Sequence, residues 1–191
     1  MNKKLLLILL VIIIVVALVA YMFWPSPSPT VAITDVHVTE PGMTFLVNIT
    51  VTDVNNLKSW AIDLSWNSSV IKIMTGDPAG LKPLNAQEKY NVYEGPFLKA
   101  VRETGTFQVR GIDNEDGKMS MLSCGYELAG ETASGSGVLA TINFTCINVG
   151  TTTIKITGHS SEYPGQSLLE SSTGSEIPHV DKDGAVTNSA S

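Results

Sequence analysis

Residues 44–73 read TFLVNITVTDVNNLKSWAIDLSWNSSVIKI, and this stretch decides the fold. Phe45, Val47, Ile49 and Val51 alternate with Thr44, Leu46, Asn48, Thr50 and Thr52, and after a short polar interruption Trp60, Ile62, Leu64 and Trp66 alternate with Ala61, Asp63 and Ser65. A period of two places successive side chains on opposite faces, so each run predicts a strand with one buried face. Working outward, the same pattern predicts further strands near 31–38, 70–74, 106–112, 118–126, 138–148, 152–158 and 177–187, bounded by turn signals at Pro41-Gly42, Asp116-Gly117, Gly150 and Pro164-Gly165. No helical period of useful length occurs after residue 30. About nine strands in one domain predict an all-β fold of two packed sheets. Residues 75–93, with Pro78, Gly80 and Pro83, interrupt the alternation and read as a loop insertion, with a helical turn around Asn85 to Lys89.

The amino-terminal end has a different character. Residues 5–24, LLLILLVIIIVVALVAYMFW, are apolar throughout, and as a helix they would span about 30 Å, the thickness of the bilayer hydrocarbon core. Lys3 and Lys4 precede this run and no basic residue follows before Lys58, so the positive-inside rule leaves residues 1–4 cytoplasmic and the rest outside. Tyr21, Phe23 and Trp24 fit the outer interface. A cleaved signal peptide is the weaker reading, because its apolar core is shorter and Leu18 stands where the cleavage site wants a small residue. A pilin-like leader wants a small residue before the run and a Glu near its start, and the sequence has neither. Residues 25–30, PSPSPT, cannot continue a helix and predict a semi-rigid spacer of about 18 Å. The expected organisation is therefore cytoplasmic 1–4, transmembrane 5–24, linker 25–30, β domain 31–188 and tail 189–191. That places the domain at the cell membrane, single-pass, facing outward.

Of the 12 basic residues, two lie before the β domain, so the rest of the chain sets ten against all 18 acidic residues, a net of −8. Nucleic acid and anionic lipid head groups need clustered Lys or Arg, which excludes both as partners of the domain. The histidines His37, His159 and His179 share no metal-ligand spacing and read as surface or strand-end residues. Asp113, Glu115 and Asp116 before Gly117 read as a hairpin turn rather than a calcium loop, and Asp181 and Asp183 before Gly184 read the same way. No nucleophile, base and orienter assemble, so the expectation is no enzyme, no metal and no cofactor.

Cys124 and Cys146 are the only thiols. Cys146 continues the inward set Ala140, Ile142, Phe144. In an oxidising compartment the pair would close a loop of about 22 residues as a disulfide. Two buried thiols are the alternative, since a disulfide needs Cα atoms within about 7 Å while facing sheets stand about 10 Å apart. Asn48, Asn67 and Asn143 each head a glycosylation sequon, which matters once the domain is exported.

The run at 44–73, followed by EGPFL at 94–98 and GSGVLATINF at 135–144, resembles the cohesin domain, in particular its archaeal surface-protein versions. The likeness covers roughly 33–187. It implies a nine-stranded β-sandwich of jelly-roll topology, akin to certain carbohydrate-binding modules, with a noncatalytic role in docking dockerin modules that other proteins carry, often polysaccharide-degrading enzymes. The insertion at 75–93 and the single domain depart from scaffold proteins of that family. The resemblance also makes the strands of Asn48 and Asn143 neighbours with both sequons on one outer face. It leaves the opposite sheet bare for a partner. Candidate docking residues there are Ala61, Asp63, Ser65, Gln108, Arg110, Met119, Met121 and Lys155, with Asp63 and Gln108 as hydrogen-bonding groups and the methionines as adaptable apolar contacts. The parity of 118–126 is contested, because Met119, Met121 and Ser123 compete with Leu122 and Cys124 for the core. The rival readings are a carbohydrate-binding module and a structural adhesin. Against the first, Trp60 and Trp66 share the inward parity, and Tyr90, Tyr93, Phe97 and Tyr163 form no planar row.

Overall fold

The computed structural model describes residues 10–16, 18–19, 27–74, 91–101, 106–125, 131–160 and 163–188. Its strands are β1 (Thr30–Ile33), β2 (Val36–Val38), β3 (Thr44–Ser65), β4 (Ile71–Ile73), β5 (Val92–Glu94), β6 (Thr106–Asp113), β7 (Lys118–Gly125), β8 (Ala133–Cys146), β9 (Gly150–Ser160), β10 (Tyr163–Pro164), β11 (Leu168–Ser171), β12 (Val180–Lys182) and β13 (Gly184–Asn188). One short helix, α1 (Pro96–Lys99), lies between β5 and β6 and starts on a proline, which suits the first helical position.

The two alternating runs of the opening stretch are a single strand of 22 residues, β3, that serves two layers. Its amino half pairs with β8 (Val47↔Ile142, Ile49↔Ala140) and with β1 (Val51↔Val31), and β4, β5 and β12 extend that layer. Its carboxyl half pairs with β7 (Ile62↔Leu122), with β11 (Leu169↔Trp60) and with β9 (Leu64↔Ile156), and β6, β13 and β2 extend this second layer. Between the halves the register shifts twice, and Asp53 and Asn56 take positive φ of 54° and 62°. Asn and Asp tolerate that region better than other side chains. Ser136 Oγ accepts from Asp53 N at 3.0 Å and Ser134 Oγ from Asn56 N at 2.9 Å, so the ladder broken at this corner is completed by hydroxyls.

The inward sets close on one core. Val47, Ile49, Val51, Ile142 and Phe144 are fully buried. Phe144 of the β8 layer stacks on Phe45 with ring centroids 5.9 Å apart and meets Trp66, at the end of the other layer, edge-on at 5.4 Å. Trp60 and Trp66 are inward, as the alternation predicts.

Among the described residues thirteen segments stand where nine strands are expected. Two expected runs merge into β3, β5, β10 and β11 are additional, with β5 taking up the end of the loop expected at 75–93, and two expected strands break where they cross between layers. The strand expected at 31–38 divides at Thr34-Asp35, and Asp35 Oδ1 accepts Ala185 N at 2.7 Å. The strand expected at 177–187 divides at Asp183, whose Oδ1 accepts Ile156 N at 2.8 Å. Each carboxylate fills a ladder position that the departing backbone vacates. Asp183 and Gly184 thus mark a layer crossing and not the hairpin turn expected there; a Cβ on Gly184 would lie 2.6 Å from Ile33 Cγ2. The turn expected at Asp113 to Gly117 is present and joins β6 to β7.

The expected disulfide is absent. Cys124 faces Trp60 in register and Cys146 lies one residue beyond the Thr145–Thr44 pair, so the two sit near opposite ends of β3. Each buried thiol has its own polar neighbour: Cys124 Sγ donates to Glu94 Oε1 at 3.6 Å, and Asn188 Nδ2 contacts Cys146 Sγ at 2.7 Å. Residues 10–16 and 18–19 are helical with exposed side chains. Among the described residues no helix is long and apolar enough to cross a membrane, and most of 1–26, with residues 75–90 of the insertion, lies outside them.

Candidate docking face

The outer face of the β7 layer is built in cross-strand rows. Gln108 pairs with Ser123, Ser123 with Ala61, and Ala61 with Leu168, so one row runs across β6, β7, β3 and β11. Directly opposed residues share a face. Small side chains stand in the middle and larger ones at the ends, and the result is an open groove of about 310 Å³ with Ser59, Ala61, Gln108, Ser123 and Leu168 in its lining. A parallel row places Asp113, Lys118, Ser65 and Lys155 side by side. Beyond it Thr151, Thr153 and Thr157 of β9 are exposed. This surface is rich in small polar side chains with scattered charge of both signs.

Between the rows β7 carries one more residue than β3 needs, since Leu64 pairs with Met119 and Ile62 with Leu122. The extra residue makes a bulge at Met121, whose φ is 54°. Asp63 Oδ1 accepts Met121 N at 2.6 Å, satisfying the amide that the bulge removes from the ladder. The bulge also settles the parity of this strand. Met119 before it and Leu122 and Cys124 after it all reach the core, which an unbroken period of two forbids.

Of the eight candidate residues, Gln108, Arg110 and Lys155 are exposed on this face, and Asp63, Ser65 and Met121 are half-buried on it. Ala61 is 7% exposed because it forms the groove floor between larger neighbours. Met119 must be withdrawn: it is 1% exposed and belongs to the core, for the reason just given. Asp63 is less available than a free hydrogen-bonding group, since one oxygen is committed to the bulge.

On the other layer Asn48 and Asn143 do share a face, opposite Thr141 and Leu46 respectively. Asn48 Oδ1 accepts Thr141 Oγ1 at 2.8 Å, and Asn143 Oδ1 is enclosed without a hydrogen-bond partner. Asn67 is exposed at the turn after β3, with Oδ1 accepting Ser69 N at 3.0 Å.

Sequence reasoning missed one polar site. His179 is not a surface residue: its side chain is fully enclosed, and it meets Ser167, which is 2% exposed, and Asp181. Ser167 Oγ lies 2.8 Å from His179 Nε2 and donates to Asp181 Oδ1 at 2.7 Å, while Ser167 N donates to Asp181 Oδ2 at 2.7 Å and His179 Nδ1 faces Ile177 O at 2.7 Å. Burial pushes the His179 imidazole down, but the Asp181 hydrogen bond, the Ile177 carbonyl and the charges of Asp181 and Glu176 outweigh it and hold it above its ordinary value. Burial pushes the Asp181 carboxyl up, and its bonds from His179 and Ser167 outweigh that and hold it low. The three residue types are those of a hydrolase triad, yet the wiring is wrong for one. A nucleophilic serine gives its proton to the imidazole, whose far nitrogen the carboxylate orients; here the carboxylate accepts from the serine and a backbone carbonyl takes the far nitrogen. His37 and His159 are not enclosed, and contact Thr187 Oγ1 at 3.0 Å and Gln166 O at 2.9 Å. Among the described residues no three His, Cys, Asp or Glu side chains are placed to share a metal ion.

The model of the cohesin domain matches residues 29–187 of this chain. Among solved structures, a non-cellulosomal cohesin from the hyperthermophilic archaeon Archaeoglobus fulgidus is similar at 10% identity and TM-score 0.60, with 86% of this chain and 93% of that one covered. A chain of a type I cohesin–dockerin complex from Clostridium thermocellum is similar at 15% identity and TM-score 0.61, covering 85% and 100%. A chain of a type II cohesin–X-dockerin complex from Acetivibrio cellulolyticus is similar at 17% identity and TM-score 0.64, again covering 85% and 100%. At such identities the likeness establishes the fold. No curated protein matches the sequence.

Proposed function

The chain belongs to the cohesin domain family, and from that premise we propose that it is a noncatalytic docking module whose outer β7-layer face receives a dockerin-bearing or other secreted protein. The observation that carries this reading is the Gln108–Ser123–Ala61–Leu168 row, an open groove floored by small side chains and flanked by exposed Arg110 and Lys155. A partner burying about 800 Å² per side would cover the groove and the Asp113–Lys118–Ser65–Lys155 row. Residues 5–24 tether the module to the membrane, residues 25–30 lift it clear, and the partner is an enzyme of polysaccharide breakdown or another exported protein. Asn67 is the sequon best exposed for modification, and it lies off the docking rows.

A sugar-binding role has less support, because Trp60 and Trp66 are 2% and 6% exposed and offer no stacking platform. Capture of a panel of dockerin modules by the full chain in detergent tests the docking reading. Ala61→Tyr fills the groove and is expected to lower affinity by about a hundredfold, the effect of losing a central contact. Circular dichroism checks its fold, and Arg110→Glu probes the flank without touching the floor. Capture that is unchanged in both variants, or absent for the whole panel, overturns the assignment.

A further inference from the structure

Ser167 lies immediately before β11, and His179 and Asp181 flank the first residue of β12. Since β11 pairs with the carboxyl half of β3 and β12 with β1, their contact ties the two layers together at one edge. Leu168, next to Ser167, lines the groove. The cluster is therefore connected to the docking face through one peptide bond.

Counting protons shows what the cluster needs. His179 Nδ1 faces a carbonyl and must carry hydrogen. The single Ser167 hydroxyl proton faces both Asp181 Oδ1 and His179 Nε2. If it goes to the carboxylate, Nε2 must donate to Ser167 Oγ, and the imidazole is doubly protonated with every contact satisfied. If the imidazole is neutral, the serine proton goes to Nε2 and Asp181 Oδ1 loses its donor in an enclosed site, where an unmet acceptor is costly. The charged groups acting on the ring are Asp181 and Glu176. On the β9 side His159 contacts the same turn through Gln166 O, and on β11 Glu170 takes a hydrogen bond from Ser59.

We infer that Ser167, His179 and Asp181 form a protonation-dependent clasp that positions β11, and with it the Leu168 wall of the docking groove. The clasp is complete when His179 is imidazolium and Asp181 is ionised. A group held above its ordinary value contributes stability below that value and loses it as pH rises through the folded one, whereas a carboxylate held low loses its contribution as pH falls through its own folded value. The clasp is thus tightest in mild acid, above the Asp181 titration and below that of His179, and it loosens toward alkaline pH. Gln166 Nε2, which donates to His179 O at 2.8 Å, does not titrate and keeps the segment loosely attached.

The inference rests on the docking reading only where it invokes the groove, and the experiment separates the two. In the full chain, the His179 titration is followed by NMR, and hydrogen exchange of amides 167–171 and 179–182 is measured from pH 5 to 8 against intrinsic rates. Protection of these amides is expected to fall by about tenfold for each unit by which His179 titrates above 6.5, and His179→Gln is expected to abolish that pH dependence. A His179 midpoint at or below 6.5, or protection that ignores pH in the wild-type chain, overturns the clasp. Capture of the dockerin panel at pH 5.5 and 8 is expected to weaken at the higher pH in the wild-type chain. Capture that is equal at both, with exchange responding, breaks the link to the groove. Absence of capture at either pH counts against the docking face while the exchange data still decide the clasp.

Discussion

The two halves of β3 differ in composition and in how their ladders are completed: Thr44 to Thr52 carries no charge, whereas Leu57 to Ser65 carries Lys58 and Asp63. The amino half, Thr44 to Thr52, keeps strict alternation, buries Val47, Ile49 and Val51, and repairs its ladder with hydroxyls: Thr34 Oγ1 accepts Asn48 N at 2.9 Å, and Ser134 and Ser136 serve the corner. The carboxyl half, Leu57 to Ser65, runs against a bulged partner and repairs it with the Asp63 carboxylate. The first half is a wall of the core, although β8 opposite it also carries an extra residue, Leu139, between the partners of Ile49 and Thr50. On the second half the small outward residues Ser59 and Ala61 floor the groove, beside the bulged β7.

The largest test joins both halves through the residue they share. Phe144 stacks on Phe45 from the amino half and meets Trp66 at the end of the carboxyl half. Phe144→Ala is expected to lose about 3–5 kcal/mol, the cost of deleting a fully buried ring with incomplete collapse of the site, measured as a fall in the urea midpoint at unchanged slope. A loss under about 1 kcal/mol would mean that the halves do not share a core.

Next in size is the bulge. Asp63→Ala leaves Met121 N without its acceptor and is expected to cost about 1–3 kcal/mol, while Asp63→Asn keeps an oxygen in place and costs less. The exchange rate of the Met121 amide reports the same difference directly. Equal stability of the two variants would show that the carboxylate does not hold the bulge.

The corner gives a smaller effect. Asn56 adopts φ 62°, so Asn56→Val is expected to lose about 1–2 kcal/mol through backbone strain. Asn56→Gly relieves the strain but removes the hydrogen bond from Asn56 Nδ2 to Ser172 Oγ. A valine variant as stable as the glycine one would count against a strained corner.

The sequence makes the core legible and leaves the edges obscure for identifiable reasons. Alternation at 44–52, 60–66 and 140–146 places the large inward residues correctly, because a face packed on a core permits no slip of register. It fails at Leu139, which is buried beside Ala140 where β8 carries an extra residue against β3. It gives no warning of the bulge, since an inserted residue leaves a conflict and not a pattern; the competition between Met119 and Leu122 was its only trace. Most of the outward residues of the candidate face follow from the same alternation, whereas Ala61 is flanked in register by Ser123 and Leu168, from strands that periodicity does not align with it. The Ser167–His179–Asp181 cluster is invisible because its members come from irregular segments between strands, and a histidine between Pro178 and Val180 carries no periodic signal. The layer crossings are hidden likewise: Asp35 sits inside a run that reads as one strand over 31–38, and Asp183 before Gly184 reads as a turn.

The smallest effect separates the halves by acid. Asp113 Oδ1 accepts Asp116 N at 3.0 Å and Glu115 N at 2.9 Å, and those bonds, with Lys118 nearby, hold its carboxyl below 3.8. The turn it organises is bound to the end of the carboxyl half, where Trp66 N donates to Gly117 O at 2.8 Å. A carboxylate held low stabilises the folded turn at pH above 3.8, and that contribution fades as pH falls through the folded midpoint. The hydroxyls that complete the amino half do not titrate. Acidification below 3.8 is therefore expected to raise amide exchange at Glu115, Asp116 and Trp66 before it does so at Asn48, Asp53 and Asn56. The Asp113→Asn chain, whose amide oxygen is a weaker acceptor, is expected to show the raised exchange at neutral pH and no further acid step at the turn. Simultaneous loosening of both sets in the wild-type chain would mean that acid acts on the whole core, and the contrast between hydroxyl-repaired and carboxylate-repaired ladders would lose its consequence.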